Sequence, residues 1–321
     1  MFRKALSALG TSLILCSLSV AWLVTAQSPF LGVQDAWADP YFNSSEPMCN
    51  GSDPTVLMCD DFEDGNWAMT HCDDPDQSQN DGWCGTIFYG GYPDPQGTGF
   101  GRCGGLGVVG TDCVAYSGVL QGTGTTTQGF MGNHTFTGNR GVDEIYVRWY
   151  VKALPGFSFG HMKQLFLQDW VLDTWQCCAL DSSVFGNPTP ALISMIDDVW
   201  LTQNQGNPLT MVPGRWYYIE VHAKLNTVGK KDGIYELWMD DCGTNGLGCN
   251  SSGTLRARHT TNTFRTSSTQ QIHMIWLENW GNPGSQGELY YDQIVAATRR
   301  IGPMGVTLIA PGAPANLRVL P

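Results

Sequence analysis

Charge is scarce in this sequence. Only 14% of residues are charged, and Asp plus Glu outnumber Lys plus Arg by 29 to 17, for a formal net charge of −12. A chain so short of cations disfavours nucleic acid and anionic membranes as partners, because both are held through clustered Lys and Arg. The same balance weighs against a strongly anionic glycan unless basic residues gather locally or a cation intervenes. Downstream of the N-terminal segment no run is long and apolar enough to cross a bilayer. No C-x-x-C pair occurs and no His pattern lies near the cysteines, which argues against zinc. G-x-S-x-G and G-x-x-x-x-G-K-[ST] are also absent, removing the nucleophile elbow and the P-loop. Convincing helical periodicity is missing throughout.

What is abundant is glycine (39), tryptophan (12) and apolar residues in general (42%). That profile suits strands and loops, and 321 residues suffice for one large β domain. At the N-terminus Arg3 and Lys4 precede an apolar run from Leu13 to Val24, and Val24–Thr25–Ala26 offers small residues for cleavage. Residues 1–26 therefore read as a secretory signal peptide, and residues 27–55 as a poorly ordered leader. The expected location is outside the cytoplasm, extracellular or periplasmic, with no membrane span in the mature form. Setting aside Cys16, ten of the 11 cysteines remain, an even number suited to an oxidising compartment. Close spacing suggests Cys49–Cys59, Cys72–Cys84, Cys103–Cys113 and Cys242–Cys249. Adjacent Cys177 and Cys178 could join each other or cross-link elsewhere.

The strongest strand signal lies between Gly214 and Asp241. Tyr217, Ile219, Val221, Ala223 and Leu225 share one face, and Trp216, Tyr218, Glu220, His222 and Lys224 the other, the period-2 pattern of a half-buried strand. Asp232–Gly233 reads as the turn of a hairpin, followed by Tyr235, Leu237 and Met239 alternating with Glu236, Trp238 and Asp240. Further strands are expected at Val56–Phe62, Glu144–Lys152, Met162–Gln168, Ala191–Leu201, Gln271–Glu278 and Glu288–Thr298. Residues 71–129, rich in Gly, Asp, Cys and Thr, read as a disulfide-tied insertion. These elements predict an all-β fold, an antiparallel two-sheet β-sandwich stapled by disulfides.

Three of these segments carry a resemblance. The central hairpin, of the form W-x-x-I-E-V-x-x-K-L-N, T-x-G-x-x-D-G and L-W-M-D, resembles the concanavalin A-like lectin/glucanase superfamily. Within it the similarity is to jelly-roll polysaccharide lyases of the alginate and glucuronan type. Cys59–Trp67 (CDDFEDGNW) resembles the first strand of such domains and Glu288–Thr298 (ELYYDQIVAAT) the last. The resemblance implies a jelly-roll domain over residues 56–303 and an extracellular polysaccharide as partner. The tail, residues 304–321, resembles the linker and start of a fibronectin type III module, which leaves two readings: a multidomain protein with further domains after it, or a bare tail.

In that superfamily glycans lie across the concave sheet. A uronate lyase must neutralise the carboxylate, abstract the neighbouring proton and protonate the leaving oxygen. The resemblance implies Arg, Gln, Asn or His for the first task and Tyr, His or Lys for the others. By type and strand parity, Arg148 and Gln164 suit neutralisation, and Tyr150, His222 or Tyr291 proton transfer. Tyr146, Phe166, Gln168, His273 and Asn279 would line the substrate. The carboxylate triplet of the laminarinase-like branch, E-x-D-x-x-E or E-x-D-x-E, is absent: Glu220, Asp197–Asp198 and Glu278 do not supply it. Asp61 and Glu63 on the first strand, with Asp292 on the last, offer hard oxygen ligands for a structural Ca2+. The leading reading is a lyase acting by β-elimination on uronate-containing glycan. The alternatives are a non-catalytic lectin or adhesion module and a structural surface protein.

Overall fold

The computed structural model describes residues 53–63, 83–84, 101–108, 111–118, 127–136, 140–159, 162–169, 175–181, 190–195, 199–203, 208–281 and 287–304. All belong to one compact unit, Trp37–Pro321. The strands, in chain order, are β1 (Val56–Asp60), β2 (Trp83–Cys84), β3 (Gly101–Cys103), β4 (Cys113–Gly118), β5 (Thr127–Thr135), β6 (Glu144–Ala153), β7 (Met162–Gln168) and β8 (Gln176–Asp181). They continue with β9 (Ala191–Ser194), β10 (Val199–Leu201), β11 (Trp216–Lys224), β12 (Gly233–Gly243), β13 (Leu255–Asn262), β14 (Met274–Gly281) and β15 (Glu288–Ala297). No helix occurs among the described residues, and so none there is long and apolar enough to cross a membrane.

The strands form two antiparallel sheets. The eight-stranded sheet runs β13-β12-β11-β6-β15-β4-β3, with β1 also paired to β15. The seven-stranded sheet runs β10-β9-β8-β7-β14-β5-β2. Between them lies one apolar core, and the period of two along each strand decides what enters it. Ile145, Val147, Trp149 and Val151 enter from β6, and Ile219, Val221 and Ala223 from β11. Leu165 and Leu167 of β7 and Ile275 and Leu277 of β14 meet them from the other sheet. Tyr235 crosses the core, and its hydroxyl donates to the carbonyl of Ala179 at 2.8 Å, hydrogen-bonding β12 to β8. The fold is therefore the expected two-sheet antiparallel β-sandwich.

Several local expectations are corrected. The β11–β12 hairpin forms, in the register Ile219↔Met239 and Val221↔Leu237, but Asp232–Gly233 is not its turn. The chain reverses at Thr227–Lys230, where Lys230 N donates to Thr227 O and Gly229 takes a φ of 80° that glycine tolerates. Asp232 closes the loop by accepting from Thr227 N. Gly233 is needed for space, since a Cβ there would stand 2.7 Å from the Phe264 ring. Ala191–Leu201 is two short strands, β9 and β10, that pair with each other from Ser194↔Val199 to Leu192↔Leu201. The described end of the 71–129 segment is sheet as well as insertion, because β3 and β4 extend the eight-stranded sheet beyond β15.

Three disulfides are described: Cys103–Cys113, Cys177–Cys178 and Cys242–Cys249. Two match the pairs expected from spacing, and the adjacent cysteines join each other. Cys59 is disulfide-bonded too; Cys49 and Cys72, expected partners of Cys59 and Cys84, lie outside the described residues. The signal peptide, the leader and the tail beyond Met304 also lie outside them.

Candidate functional site

Each sheet has a face turned away from the core, and the two faces differ. On the eight-stranded sheet, residues that alternate with the core set are themselves buried. Tyr150, Trp216, Tyr218 and Trp238 pack with Val108 and Val114 into a second apolar cluster. Two segments hold this layer down. From residues 104–112, Val108 N and the Thr111 hydroxyl donate to Asp292 Oδ2 at 2.7 and 3.0 Å. From residues 299–304, Ile301 N and Gly302 N donate to the Glu220 carboxylate at 2.8 and 2.9 Å, and Met304 N to the Tyr150 hydroxyl at 2.8 Å. The Tyr218 hydroxyl donates to Glu220 as well. Burial and the neighbouring Glu220 charge drive the Tyr218 hydroxyl far above the usual phenol range.

This layer fixes the place of several expected site residues. Arg148 is 1% exposed, and Tyr150 is fully buried beneath this layer. Tyr291 points the other way, into the core between the sheets. His222 stands between two carboxylates, with Nδ1 2.5 Å from Glu236 and Nε2 3.0 Å from Glu144. Tyr146 lies flat on its ring, centroids 4.1 Å apart and planes 3° from parallel. Lys224 pairs with Glu144 and Arg258 with Glu236, both at 3.0 Å. Burial opposes ionisation of Glu144, but its bonds to Lys224 and His222 outweigh this and hold the carboxyl below the usual range. Both nitrogens and one face of His222 are thus engaged in a cross-strand ladder with Glu144 and Glu236, which pair in turn with Lys224 and Arg258.

The outer face of the seven-stranded sheet is chemically different. Gln164, Phe166 and Gln168 alternate with the core residues Leu165 and Leu167, and so point outward. Phe166 packs with Ala179 and Ile193, flanked by Met195 and Trp276. The Phe166 and Trp276 rings are 5.4 Å apart and inclined at 40°. Lys163 places its ammonium 5.2 Å from the Phe166 centroid. Gln168 is satisfied, its Nε2 3.1 Å from Met274 Sδ and its Oε1 accepting from Gln176 at 3.2 Å. Gln164 is not. Its side chain is fully buried, and neither amide atom has a hydrogen-bond partner. Nε1 of Trp276 is unpartnered too. Buried amides are rarely left so, because each unmet group costs about 1–3 kcal/mol; Gln293 on β15 is the other described glutamine with both amide atoms unpartnered.

His273 sits at the start of β14, with Nδ1 2.9 Å from Asp169 Oδ1 and 3.0 Å from Gln271 O. Asn279 is in β14, but its side chain lies outside the described residues. Trp276 and Lys163 were not picked out as site residues from sequence. The register Phe166↔Trp276 is what joins Trp276 to this face, and that pairing has no signature in either strand alone.

The residues proposed for calcium do not fit one. Asp61, Glu63 and Asp292 do not converge on a point; the one convergent group among the described residues is Cys103, Asp112 and Cys113, whose thiols are spent in a disulfide. The oxygens of Asp292 accept from Val108 N, Thr111 and Gln293 N, and Glu63 Oε1 accepts from Cys113 N. A cation would have to displace these donors. Burial also pushes the Asp292 carboxyl well above the usual range, despite those hydrogen bonds.

A scan against models of protein families finds no match, and a search of curated proteins finds none either. Solved structures do match. The chain is similar to the marine alginate lyase from Aplysia kurodai at 11% identity, with 68% of this chain and 88% of that one covered and a TM-score of 0.44. It is similar to the endo-β-1,4-glucuronan lyase of Trichoderma reesei at 12% identity, 62% and 87% coverage and a TM-score of 0.41. A glycoside hydrolase family 131 catalytic domain from Coprinopsis cinerea matches at 10% identity, 60% and 72% coverage and a TM-score of 0.34.

Proposed function

We infer that this chain is a polysaccharide lyase-like domain that cleaves uronate-containing glycan by β-elimination on the outer face of its seven-stranded sheet. The observation that carries the reading is Gln164: a fully buried amide with a donor and an acceptor unused, beside an aromatic pair. Phe166 and Trp276 supply the flat apolar surfaces on which sugar rings stack. The three sequence segments that resemble jelly-roll lyases support the same reading.

The chemistry requires removal of the proton on C5 of the uronate. The electron pair forms the C4=C5 bond, the C4–O4 bond breaks, and the leaving oxygen takes up a proton. Negative charge builds on the C6 carbonyl oxygen in between. The Nε2 of Gln164 would donate to that oxygen, an arrangement most effective where water is excluded. Lys163 is the one cation on this sheet's described strands, and we assign it to proton transfer at the reacting sugar. Gln168, locked by Met274 and Gln176, holds the end of the surface rigid. Arg148, Tyr150, His222 and Tyr291 act in this reading as structural residues.

The test is ultraviolet absorbance of the conjugated unsaturated uronate during incubation with uronate glycans. A steady rise that is lost in Gln164→Ala and in Lys163→Met supports the assignment. A rise that survives both moves the chemistry elsewhere. A flat trace on every glycan leaves a lectin or structural protein.

A further inference from the structure

The basic residues of this protein are distributed unevenly, and the unevenness falls on the proposed site. Of the 17 Lys and Arg residues, none lies within 5–101, 103–139, 164–214 or 266–298. Those four intervals contain six of the seven strands of the seven-stranded sheet, together with most of the chain that connects them. The remaining strand, β7, contributes Lys163. On the same strands stand two acids, Asp181 and Glu278, and the connecting segments add Asp173, Asp197 and Asp198. The eight-stranded sheet, in contrast, holds Arg148, Lys152, Lys224, Arg256 and Arg258 in β6, β11 and β13.

A polyuronate carries one negative charge on every sugar. Bound along this face it would meet one ammonium group on the described strands, that of Lys163, within a chain of net charge −12, and its neighbouring carboxylates would lie against the apolar strip. The apolar strip runs across four adjacent strands, from Trp276 on β14 through Phe166 and Ala179 to Ile193 on β9. Burying an unpaired carboxylate against such a strip is costly, whereas a neutral ester group gains from it. Gln164 points the same way. A neutral amide offers a hydrogen bond to a carbonyl oxygen but no charge to offset a carboxylate.

We propose that the substrate class of this face is a glycan whose uronate carboxyl groups are esterified and therefore uncharged. This rests on the lyase reading and sharpens it. Esterification also removes the need to neutralise a carboxylate before C5 gives up its proton, because the ester carbonyl already withdraws electrons. The elimination is otherwise unchanged: the proton leaves C5, the C4–O4 bond breaks, and the ester stays on the unsaturated product.

The experiment compares matched polymers at neutral pH: propylene glycol alginate against alginate, and highly methyl-esterified pectin against polygalacturonate. Absorbance of the unsaturated product and retention in affinity electrophoresis are read on the same four, with protein-free blanks. Esters cleaved at least about tenfold faster than the free acids are expected. What little binding the free acids show should strengthen with added salt, since screening relieves repulsion. Free acids cleaved as fast as esters, or faster, overturn the ester proposal and leave the lyase intact. No cleavage of any polymer, with esters still retained over acids, overturns the lyase and keeps the preference for uncharged glycan. No cleavage and no such preference overturns both.

Discussion

Arg148 and Gln164 point out of opposite sides of the sandwich. Each sits on a strand whose alternate residues enter the same core, Val147 and Trp149 beside one, Leu165 and Leu167 in the other's strand. One strand belongs to the eight-stranded sheet and the other to the seven-stranded sheet. Two side chains suited by type to hold a carboxyl group are thus separated by the full core. Arg148 is sealed beneath a second apolar layer; Gln164 is buried with its amide unspent.

Gln164→Met should raise stability while abolishing turnover. Methionine fills similar volume without stranding a donor and an acceptor, so a gain of about 1–2 kcal/mol in urea unfolding is expected. A residue kept at a cost to stability is the mark of a functional position. A variant less stable than the parent would show that Gln164 is an ordinary packing residue.

Glu220→Ala should release the 299–304 segment. Two main-chain N–H groups and the Tyr218 hydroxyl lose their acceptor, and a loss of about 2–4 kcal/mol follows from stranding them. Limited proteolysis between Arg299 and Met304 should accelerate in parallel. Unchanged cleavage there would mean that the remaining contacts, Arg300 stacked 4.4 Å over Trp238 and Met304 N bonded to the Tyr150 hydroxyl, suffice to hold the segment.

Gly233→Ala should destabilise the fold by about 1–3 kcal/mol through overpacking. The new Cβ would stand 2.7 Å from the Phe264 ring and 2.8 Å from the carbonyl oxygen of Asn262, so β12 and β13 must part. The unfolding midpoint measures it, and a neutral result would show that Phe264 can swing clear.

Asp53 sets a small acid-dependent contribution. Bonds from the Thr55 hydroxyl, Arg299 and Thr55 N lower its carboxyl from the ordinary 3.8 to about 2. The folded state therefore binds the proton less readily than the unfolded one. The stabilisation is present above pH 3.8 and fades as pH falls through about 2. Asp53→Asn should lower the urea midpoint at neutral pH, by no more than about 1 kcal/mol because the pair is near the surface. The difference should vanish at the acid end, and a constant gap across pH would instead point to lost hydrogen-bond geometry.

Much of the fold was legible because strands advertise themselves by alternation. β6, β11 and β12 each set apolar residues at every second position, and an antiparallel two-sheet sandwich followed from the number and spacing of the strands; the jelly roll came from the resemblance. β5, β8 and β13 went unnoticed. Gln176–Asp181 is too short to show a period, and LRARHTTN is an edge strand whose outward residues are charged. Close spacing foretold Cys103–Cys113 and Cys242–Cys249, since short loops bring the two thiols together.

The site was not legible in the same way. Alternation says which residues share a side of one strand, but not whether that side meets solvent. Tyr146, Arg148 and Tyr150 share a face in sequence; that Val108 and Val114 pack with Tyr150 and that Met304 N bonds its hydroxyl is visible only in the structure. Gln164 with Phe166, by the same parity, looks no different. Their partnership with Trp276, about 110 residues further along, is made by sheet pairing between β7 and β14, and no local pattern encodes it. The sequence by itself determined the strands, the two-sheet sandwich, the close disulfides and the shortage of cations. The tertiary structure decided which residues meet across strands and how deeply each is covered, because burial is a property of what another part of the chain lays on top.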